Sequence, residues 1–194
     1  MRIISGTARG RRLATPGRGR RQIRPTTDRV REALFSVLQA RLELEGAAVL
    51  DLFAGTGALG CEALSRGAAR AVFVDADRGA LALVRENLTR VDAAERGRIV
   101  RGDAVRALER LSGPFGLVLL DPPYADHRVM PVLTALAERR RQLLAPGALI
   151  CAEHGPDEPL APCGLLEHLT TRAYGDVRVS LWAVEPDPEE ESAP

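Results

Sequence analysis

The sequence has no lysine, three cysteines, one tryptophan and only 4% aromatic residues in 194. It also lacks any apolar run long enough to span a membrane, and Met1-Arg2-Ile3-Ile4-Ser5-Gly6 carries no apolar stretch of the signal-peptide kind. No membrane partner is expected, and the location expected is cytoplasmic. Cys61, Cys151 and Cys163 form no Cys-x-x-Cys pair and stand in apolar or turn contexts. Those spacings argue against a disulfide scaffold or a zinc site, so reduced, buried thiols and no metal are expected. What the chain does have is 45% apolar residues, ample for one core with small additions.

With lysine absent, all 27 basic residues are arginine. That choice can follow from base composition alone, so it is the distribution that informs. Within residues 1–31, Arg2, Arg9, Arg11, Arg12, Arg18, Arg20, Arg21, Arg24, Arg29 and Arg31 face one acid, Asp28. Because the whole chain has a net charge of only +1, the remainder is net negative. A basic arm on such a body suits a polyanion, where phosphate contacts supply affinity without sequence information. The plainer alternative is a solvated tail.

The organisation follows from periodicity and punctuation. Residues 2–5 and 11–14 flank Gly6-Thr7-Ala8-Arg9-Gly10, which predicts a small hairpin at the start of an arginine-rich arm, residues 1–24. From Thr27 or Asp28 as cap, Val30, Leu34, Val37, Leu38 and Leu42 recur at helical spacing, and Gly46 is expected to stop that helix. Strands are then predicted at 48–53, 71–75, 99–101, 115–121, 148–153, 165–171 and 177–184. The helices between them are expected at 58–66, 79–91, 104–111 and 129–144, the last leading through Pro146-Gly147 into a strand. Such βα alternation means an α/β fold with a doubly wound, mostly parallel seven-stranded sheet and an antiparallel strand at its end. Residues 25–184 would form this domain, and the acidic, proline-rich residues 185–194 a disordered tail.

In such sheets ligands bind at the carboxyl ends of the strands. Asp51, Asp75 and Asp121 fall at the ends of the first, second and fourth strands, and Asp103 just after the third. Asp77, slightly further on, reads better as a helix cap. The loop Phe53-Ala54-Gly55-Thr56-Gly57 opens a literal GxGxxG ending at Gly60, with Asp75 twenty residues beyond Gly55, which fits a dinucleotide fingerprint. A carboxylate at Asp51 would repel a pyrophosphate. It would instead attract the ammonium of S-adenosyl-L-methionine, while Asp75 accepts from ribose hydroxyls and Asp103 with the Ala104 backbone reaches the adenine.

Asp121-Pro122-Pro123-Tyr124 supplies the second half of that reading. The lone pair of a nucleobase amine is delocalised into the ring, so the nitrogen must be pyramidalised before it can attack a methyl group. A carboxylate at Asp121 and the Pro122 carbonyl can each accept one N–H, Pro123 stiffens the loop, and Tyr124 is placed to stack on the base. Taken alone, the tetrapeptide is equally an ordinary strand terminator and turn. His127, in the following loop, reads as exposed and uncommitted.

Several segments together resemble the bacterial small-subunit (16S) ribosomal RNA guanine-N2 methyltransferase family. They are Arg2-Ile3-Ile4-Ser5-Gly6, Arg9-Gly10-Arg11, Arg24-Pro25-Thr26-Thr27-Asp28-Arg29-Val30-Arg31-Glu32-Ala33-Leu34-Phe35, Val49-Leu50-Asp51-Leu52-Phe53-Ala54-Gly55-Thr56-Gly57, Asp121-Pro122-Pro123-Tyr124 and Arg172-Ala173-Tyr174-Gly175. The resemblance spans residues 1 to about 184, and its Arg-Pro-Thr segment is the most specific part. It implies the class I S-adenosylmethionine-dependent methyltransferase fold and methylation of one guanine amine on an assembled or assembling 30S particle, with ribosomal proteins near the target as further partners. Arg9, Arg11, Arg12, Arg18, Arg20, Arg21, Arg24 and Thr26 would then position RNA beside the active site. Rival readings are a DNA adenine-N6 methyltransferase, which usually adds a target-recognition region absent here, a noncatalytic RNA-binding assembly factor, and a nicotinamide enzyme, which leaves the tetrapeptide unexplained.

Overall fold

A computed structural model of the chain describes residues 1–17, 28–123 and 126–184. The basic loop with Arg18, Arg20, Arg21, Arg24 and Thr26, the aromatic Tyr124 and the acidic tail from residue 185 lie outside the described residues. The helices are α1 (Asp28–Gln39), α2 (Ala58–Ser65), α3 (Arg78–Arg90), α4 (Ala104–Leu108), α5 (Val129–Glu138) and α6 (Arg140–Leu143). The strands are β1 (Ala48–Leu52), β2 (Arg70–Asp75), β3 (Gly97–Arg101), β4 (Phe115–Leu120), β5 (Leu144–His154), β6 (Leu166–Tyr174) and β7 (Val177–Val184). They form one seven-stranded sheet in the order β3-β2-β1-β4-β5-β7-β6. The first five are parallel, and β7 lies antiparallel between β5 and β6.

Strand side chains alternate between two buried layers, which is why β1 and β4 read as continuous apolar runs. Val49, Phe73, Leu117, Leu119, Leu149 and Cys151 face α1, α2 and α3. Leu50, Leu52, Val72, Val118, Leu120 and Ile150 face α4, α5 and α6. Each fully buried leucine of these layers contributes about 1.5–3 kcal/mol. Order reverses where β2 and β4 flank β1, and that switch point fixes where a ligand crevice opens.

Four expectations need correction. The first helix stops at Gln39 rather than running to Gly46, because Arg41 and Leu42 both donate to the Leu38 carbonyl in a tight turn. Leu42 keeps its inward position from that turn, so the apolar period outlasts the helix. The expected helix over 129–144 is broken at Arg139 into α5 and α6, where the Gln142 carbonyl accepts from Gly113. Pro146-Gly147 does not precede β5 but sits in an irregularity inside it, between the pairs Phe115↔Leu144 and Leu117↔Leu149, with Gly147 at φ 68°. The strand expected at 165–171 runs on to Tyr174.

The amino-terminal hairpin is real, although its poor alternation yields a single bridge, Arg2 to Arg12, rather than two strands. Ile3 donates to the Arg11 carbonyl at 3.0 Å and Gly10 to the Ile3 carbonyl at 2.9 Å. Ile3, Ala8 and Leu13 are buried in the same layer as α1 and α2, so this part of the arm is built into the body.

Candidate active site at the carboxyl edge of the sheet

Beyond Leu52 the chain turns sharply. Phe53 takes φ 59°, Gly55 54° and Gly57 74°, left-handed conformations that only glycine adopts without strain, so Phe53 is held there by its surroundings. The loop is stitched on every side. Ala54 donates to the Val74 carbonyl at 3.0 Å and Gly57 to the Ala54 carbonyl at 2.6 Å. Gly55 donates to Asp75 Oδ2 at 2.8 Å, and the Thr56 carbonyl accepts from Asn87 of α3 at 2.8 Å. Gly60, one turn into α2, donates to Asp51 Oδ2 at 2.9 Å. A Cβ at Gly60 would run into the Phe73 ring, so glycine is what lets α2 approach the sheet over Asp51.

Asp51 is 1% exposed. Burial pushes its carboxyl up to about 8, opposed by the Gly60 amide and reinforced by the nearby Asp75 charge. At neutral pH the free protein therefore holds Asp51 mostly protonated, and a cation would draw the proton off. Asp75 accepts from Asp77 through its other oxygen at 2.8 Å. Asp77 caps α3 by accepting from Ala80 at 2.7 Å, as its position suggested.

Asp103 caps α4, its Oδ1 accepting from Val105 at 3.1 Å and Arg106 at 3.2 Å, while Oδ2 pairs with the Arg128 guanidinium. Partial burial works to raise its pKa, but the Arg106 amide, the Arg128 charge and the Val105 amide outweigh it and hold the carboxyl below its usual range. Ala104, the first residue of α4, is buried beside it.

Asp121, Pro122 and Pro123 leave β4 immediately next to the glycine loop, since Leu120 pairs with Leu52 of β1. On its other side Leu120 pairs with Ala152, which sets Glu153 of β5 level with Asp121. Both lie on the sheet face of Cys151, whose thiol ionisation is suppressed by burial and then by the charges of Glu153 and Asp121. Downstream, Asp126 donates to the Pro123 carbonyl at 3.2 Å. His127 is not uncommitted: at φ 46° it places Nδ1 3.2 Å from Glu158 Oε2, and Glu158 Oε1 accepts from Val129 at 3.0 Å. Glu158, nearly fully buried, thus fastens the exit of the tetrapeptide loop to the start of α5.

Asp103, Asp75, Asp51 and Asp121 therefore stand in sheet order along one edge. Neighbouring strands lie about 4.8 Å apart, so the row spans roughly 14 Å, suited to an elongated ligand. Among the described residues no grouping of three His, Cys, Asp or Glu could hold a metal ion.

The arginines divide differently. Thr7 donates to the Ser65 carbonyl at 2.8 Å and Ala8 to Ser65 Oγ at 2.9 Å. Ser65 ends α2, which begins at the glycine loop and runs back down the sheet, so the hairpin turn and Arg9 lie at the opposite edge from Asp121. Arg11 is bound to Asp92 at 2.5 Å and to the Arg90 carbonyl at 2.8 Å, and the Arg12 carbonyl accepts from Arg90 at 3.1 Å. The arm returns toward the site only near Ala14, which exchanges hydrogen bonds with Asn87.

Sequence reasoning missed Arg128, Glu153, Glu158 and Asn87. Asn87, a lone amide on the inward side of an otherwise apolar helix face, offered a weak signal. The other three depend on register and loop placement that no local pattern encodes.

Across residues 1–183 the chain matches the family described as conserved hypothetical protein 95. It is 41% identical over 188 residues to YlbH of Bacillus subtilis, covering 94% of this chain and 98% of that one. It is 43% identical over 124 residues to ribosomal RNA small subunit methyltransferase D of Escherichia coli strain K12, covering 64% and 60% of the two chains. The solved structure of YhhF from Escherichia coli superposes with a TM-score of 0.82 at 36% identity, covering 96% of this chain and 99% of that one.

Proposed function

The chain belongs to the conserved hypothetical protein 95 family and has the class I S-adenosylmethionine-dependent methyltransferase fold, and on that footing we propose that it methylates the exocyclic N2 amine of one guanine in small-subunit ribosomal RNA, on an assembled or assembling 30S particle. The observation that carries this reading is the pairing of β1 with β4, after which Asp121, Pro122 and Pro123 leave the sheet directly beside the glycine loop.

The loop suits a cationic cofactor better than a phosphate. A pyrophosphate is cradled by free backbone N–H groups, yet Gly55 donates to Asp75, Gly60 to Asp51 and Gly57 to Ala54. With two of those amides already committed to the Asp75 and Asp51 side chains, a dinucleotide would lack the donors it needs. S-adenosyl-L-methionine, by contrast, presents an ammonium for Asp51, ribose hydroxyls for Asp75 and an adenine for Asp103 and the Ala104 backbone. Phe53, Ala54, Gly55, Thr56 and Gly57 would form the wall that holds it. When bound, it supplies an electrophilic methyl group on a sulfonium.

The chain's own residues prepare the acceptor. Asp121 and the Pro122 carbonyl each accept one N–H of the guanine amine, drawing the nitrogen out of conjugation with its lone pair turned toward the methyl group. The N–CH3 bond forms as the S–CH3 bond breaks, and the extra proton on nitrogen passes to Asp121 or to water. No covalent enzyme intermediate is needed. Asp121 and Glu153 keep the floor of the site electronegative, which favours the positive charge that reaches the nitrogen. Pro122 and Pro123 restrict φ, and Glu158 holds the far side of the loop through His127 and Val129, which limits misplacement. Tyr124 is assigned the stacking role on the extruded base, and Arg18, Arg20, Arg21, Arg24 and Thr26 the adjoining RNA contacts.

The test is to incubate the protein and labelled cofactor with immature small subunits, free ribosomal RNA and DNA, then identify the modified nucleoside. N2-methylguanosine from small subunits is expected. N6-methyladenosine in DNA would establish the adenine rival, and failure to bind the cofactor would establish a noncatalytic factor. Asp121→Ala should bind cofactor normally and lose most turnover, at least about a hundredfold for a positioned acceptor. Near-full turnover would remove Asp121 from the mechanism.

A further inference from the structure

Resting on the proposed RNA substrate, we propose that the carboxyl-terminal end of β6 is a second RNA contact, in which Arg172 binds a phosphate and Tyr174 stacks on a base of the strand flanking the target guanine.

The sheet register places these residues. Leu119 of β4 pairs with Cys151 of β5, Cys151 with Leu181 of β7, and Leu181 with Thr170 of β6. One step nearer the site, Asp121 lies level with Glu153, Glu153 pairs with Val179, and Val179 with Arg172. Arg172 therefore shares a row and a sheet face with Asp121 and Glu153, three strands and about 14 Å from the amine-holding carboxylate. That distance matches a few nucleotides of splayed strand rather than the target base itself. Tyr174, two residues further, is the last residue of β6 and lies on the same face, one pair past the end of β5 and packed at its base against the α1 layer.

Charge and rigidity make this corner suitable for single-stranded RNA. The row passes from two carboxylates at Asp121 and Glu153, which repel phosphate, to an exposed guanidinium at Arg172. A phosphate is thereby kept off the methyl-transfer centre and drawn to its side. The turn that presents Tyr174 is held by Arg178, whose Nη1 donates to the Gly175 carbonyl at 2.7 Å and the Val177 carbonyl at 3.2 Å. A half-buried aromatic on a stiff turn beside a guanidinium is the pairing that binds unstacked bases without reading sequence. Asp176 is exposed in the same turn.

The experiment compares wild type with Arg172→Ala, Tyr174→Leu and the double variant, Tyr174→Leu keeping the apolar packing if Tyr174→Ala fails to fold. Affinity for immature small subunits is measured across a salt series, with cofactor affinity and Tm as controls. Arg172→Ala should weaken RNA binding several-fold and lower the salt slope by about 1. Tyr174→Leu should weaken it about tenfold with the slope unchanged, and neither should move cofactor affinity. Variants that bind within twofold of wild type, with unchanged slope, overturn the inference while leaving the enzyme's proposed function intact. A wild-type protein that neither binds nor methylates small-subunit RNA overturns both.

Discussion

Two hairpins flank this sheet, and they differ in the opposite way from what their sequences suggest. The amino-terminal one is dense in arginine, yet its tip is fastened to Ser65 at the far edge, and Arg11 is taken up by Asp92 and the Arg90 carbonyl. The carboxyl-terminal one, β6 and β7, carries only Arg172 and Arg178 as cations, with Glu167 and Asp176 as its acids, and its turn opens at the same edge as Asp121. Charge density along a chain suggests a polyanionic partner. Only topology shows which end of the molecule faces it.

The sharpest way to break the amino-terminal attachment is Glu62. Its carboxylate, fully buried, accepts from Ile4 at 2.8 Å, Ser5 at 3.0 Å and Arg66 at 2.8 Å, and stands 3.7 Å from Arg31 Nε. Arg31 is itself fully buried; among the described residues Nε and Nη1 have no hydrogen-bond partner, while Nη2 is bonded to Asp28 at 3.0 Å and to the Arg2 carbonyl. Removing Glu62 leaves that buried guanidinium with Asp28 as its remaining counter-charge and unpairs the Ile4 and Ser5 amides, so Glu62→Ala should cost about 3–5 kcal/mol by chemical denaturation. A loss below about 1 kcal/mol would mean that the hairpin is not held by this pair.

Asn87 is the next largest test, because it bonds both to Ala14 of the arm and to Thr56 of the glycine loop. Its side chain accepts from Ala14 at 2.6 Å and donates to the Ala14 and Thr56 carbonyls at 3.1 and 2.8 Å. Asn87→Ala should cost about 1–3 kcal/mol of stability and also weaken cofactor binding. Stability lost with cofactor affinity intact would show that the hairpin and the loop are independent.

The glycine loop itself was legible, and so was much of the fold. Continuous apolar strands covered on both faces, separated by glycine and proline, announce βα alternation, and this placed Asp51, Asp75, Asp103 and Asp121 at adjacent strand ends. Element boundaries were less legible. Leu42 preserves helical spacing from a turn, and Pro146-Gly147 looks like a linker although its neighbours pair with β4. Contacts made through register or across loops left no trace in the sequence. Glu153 stands level with Asp121 only because of how β5 aligns with β4, and Glu158 reaches His127 from 31 residues away.

Burial of Asp51 also alters the electrostatic argument drawn from the sequence, and pH checks it. Between the ordinary carboxylate range and about 8 the folded protein keeps a proton that the unfolded chain has released. Raising the pH through that window therefore lowers the stability of the free protein. A cofactor ammonium needs the ionised carboxylate, so apparent affinity should rise about tenfold from roughly pH 6 to 7, as the ionised fraction grows. Asp51→Asn should abolish that slope. Titration calorimetry giving the same slope in the variant would assign the proton elsewhere.

The smallest expected effect returns to the comparison of hairpins. Arg9 belongs to the charge cluster that first suggested RNA, but its turn packs at the end of α2, a sheet length away from Asp121. If proximity to the site decides, Arg9→Ala should change small-subunit affinity less than twofold, because an isolated exposed charge beyond a Debye length of about 8 Å from the RNA is screened. If the particle wraps around the protein and reaches the far edge, the same substitution should weaken binding several-fold and lower the salt slope by about 1. Binding isotherms at several salt concentrations separate the two outcomes. The second would mean that the hairpins grip RNA from opposite edges of the sheet, with the methyl-transfer site held between them.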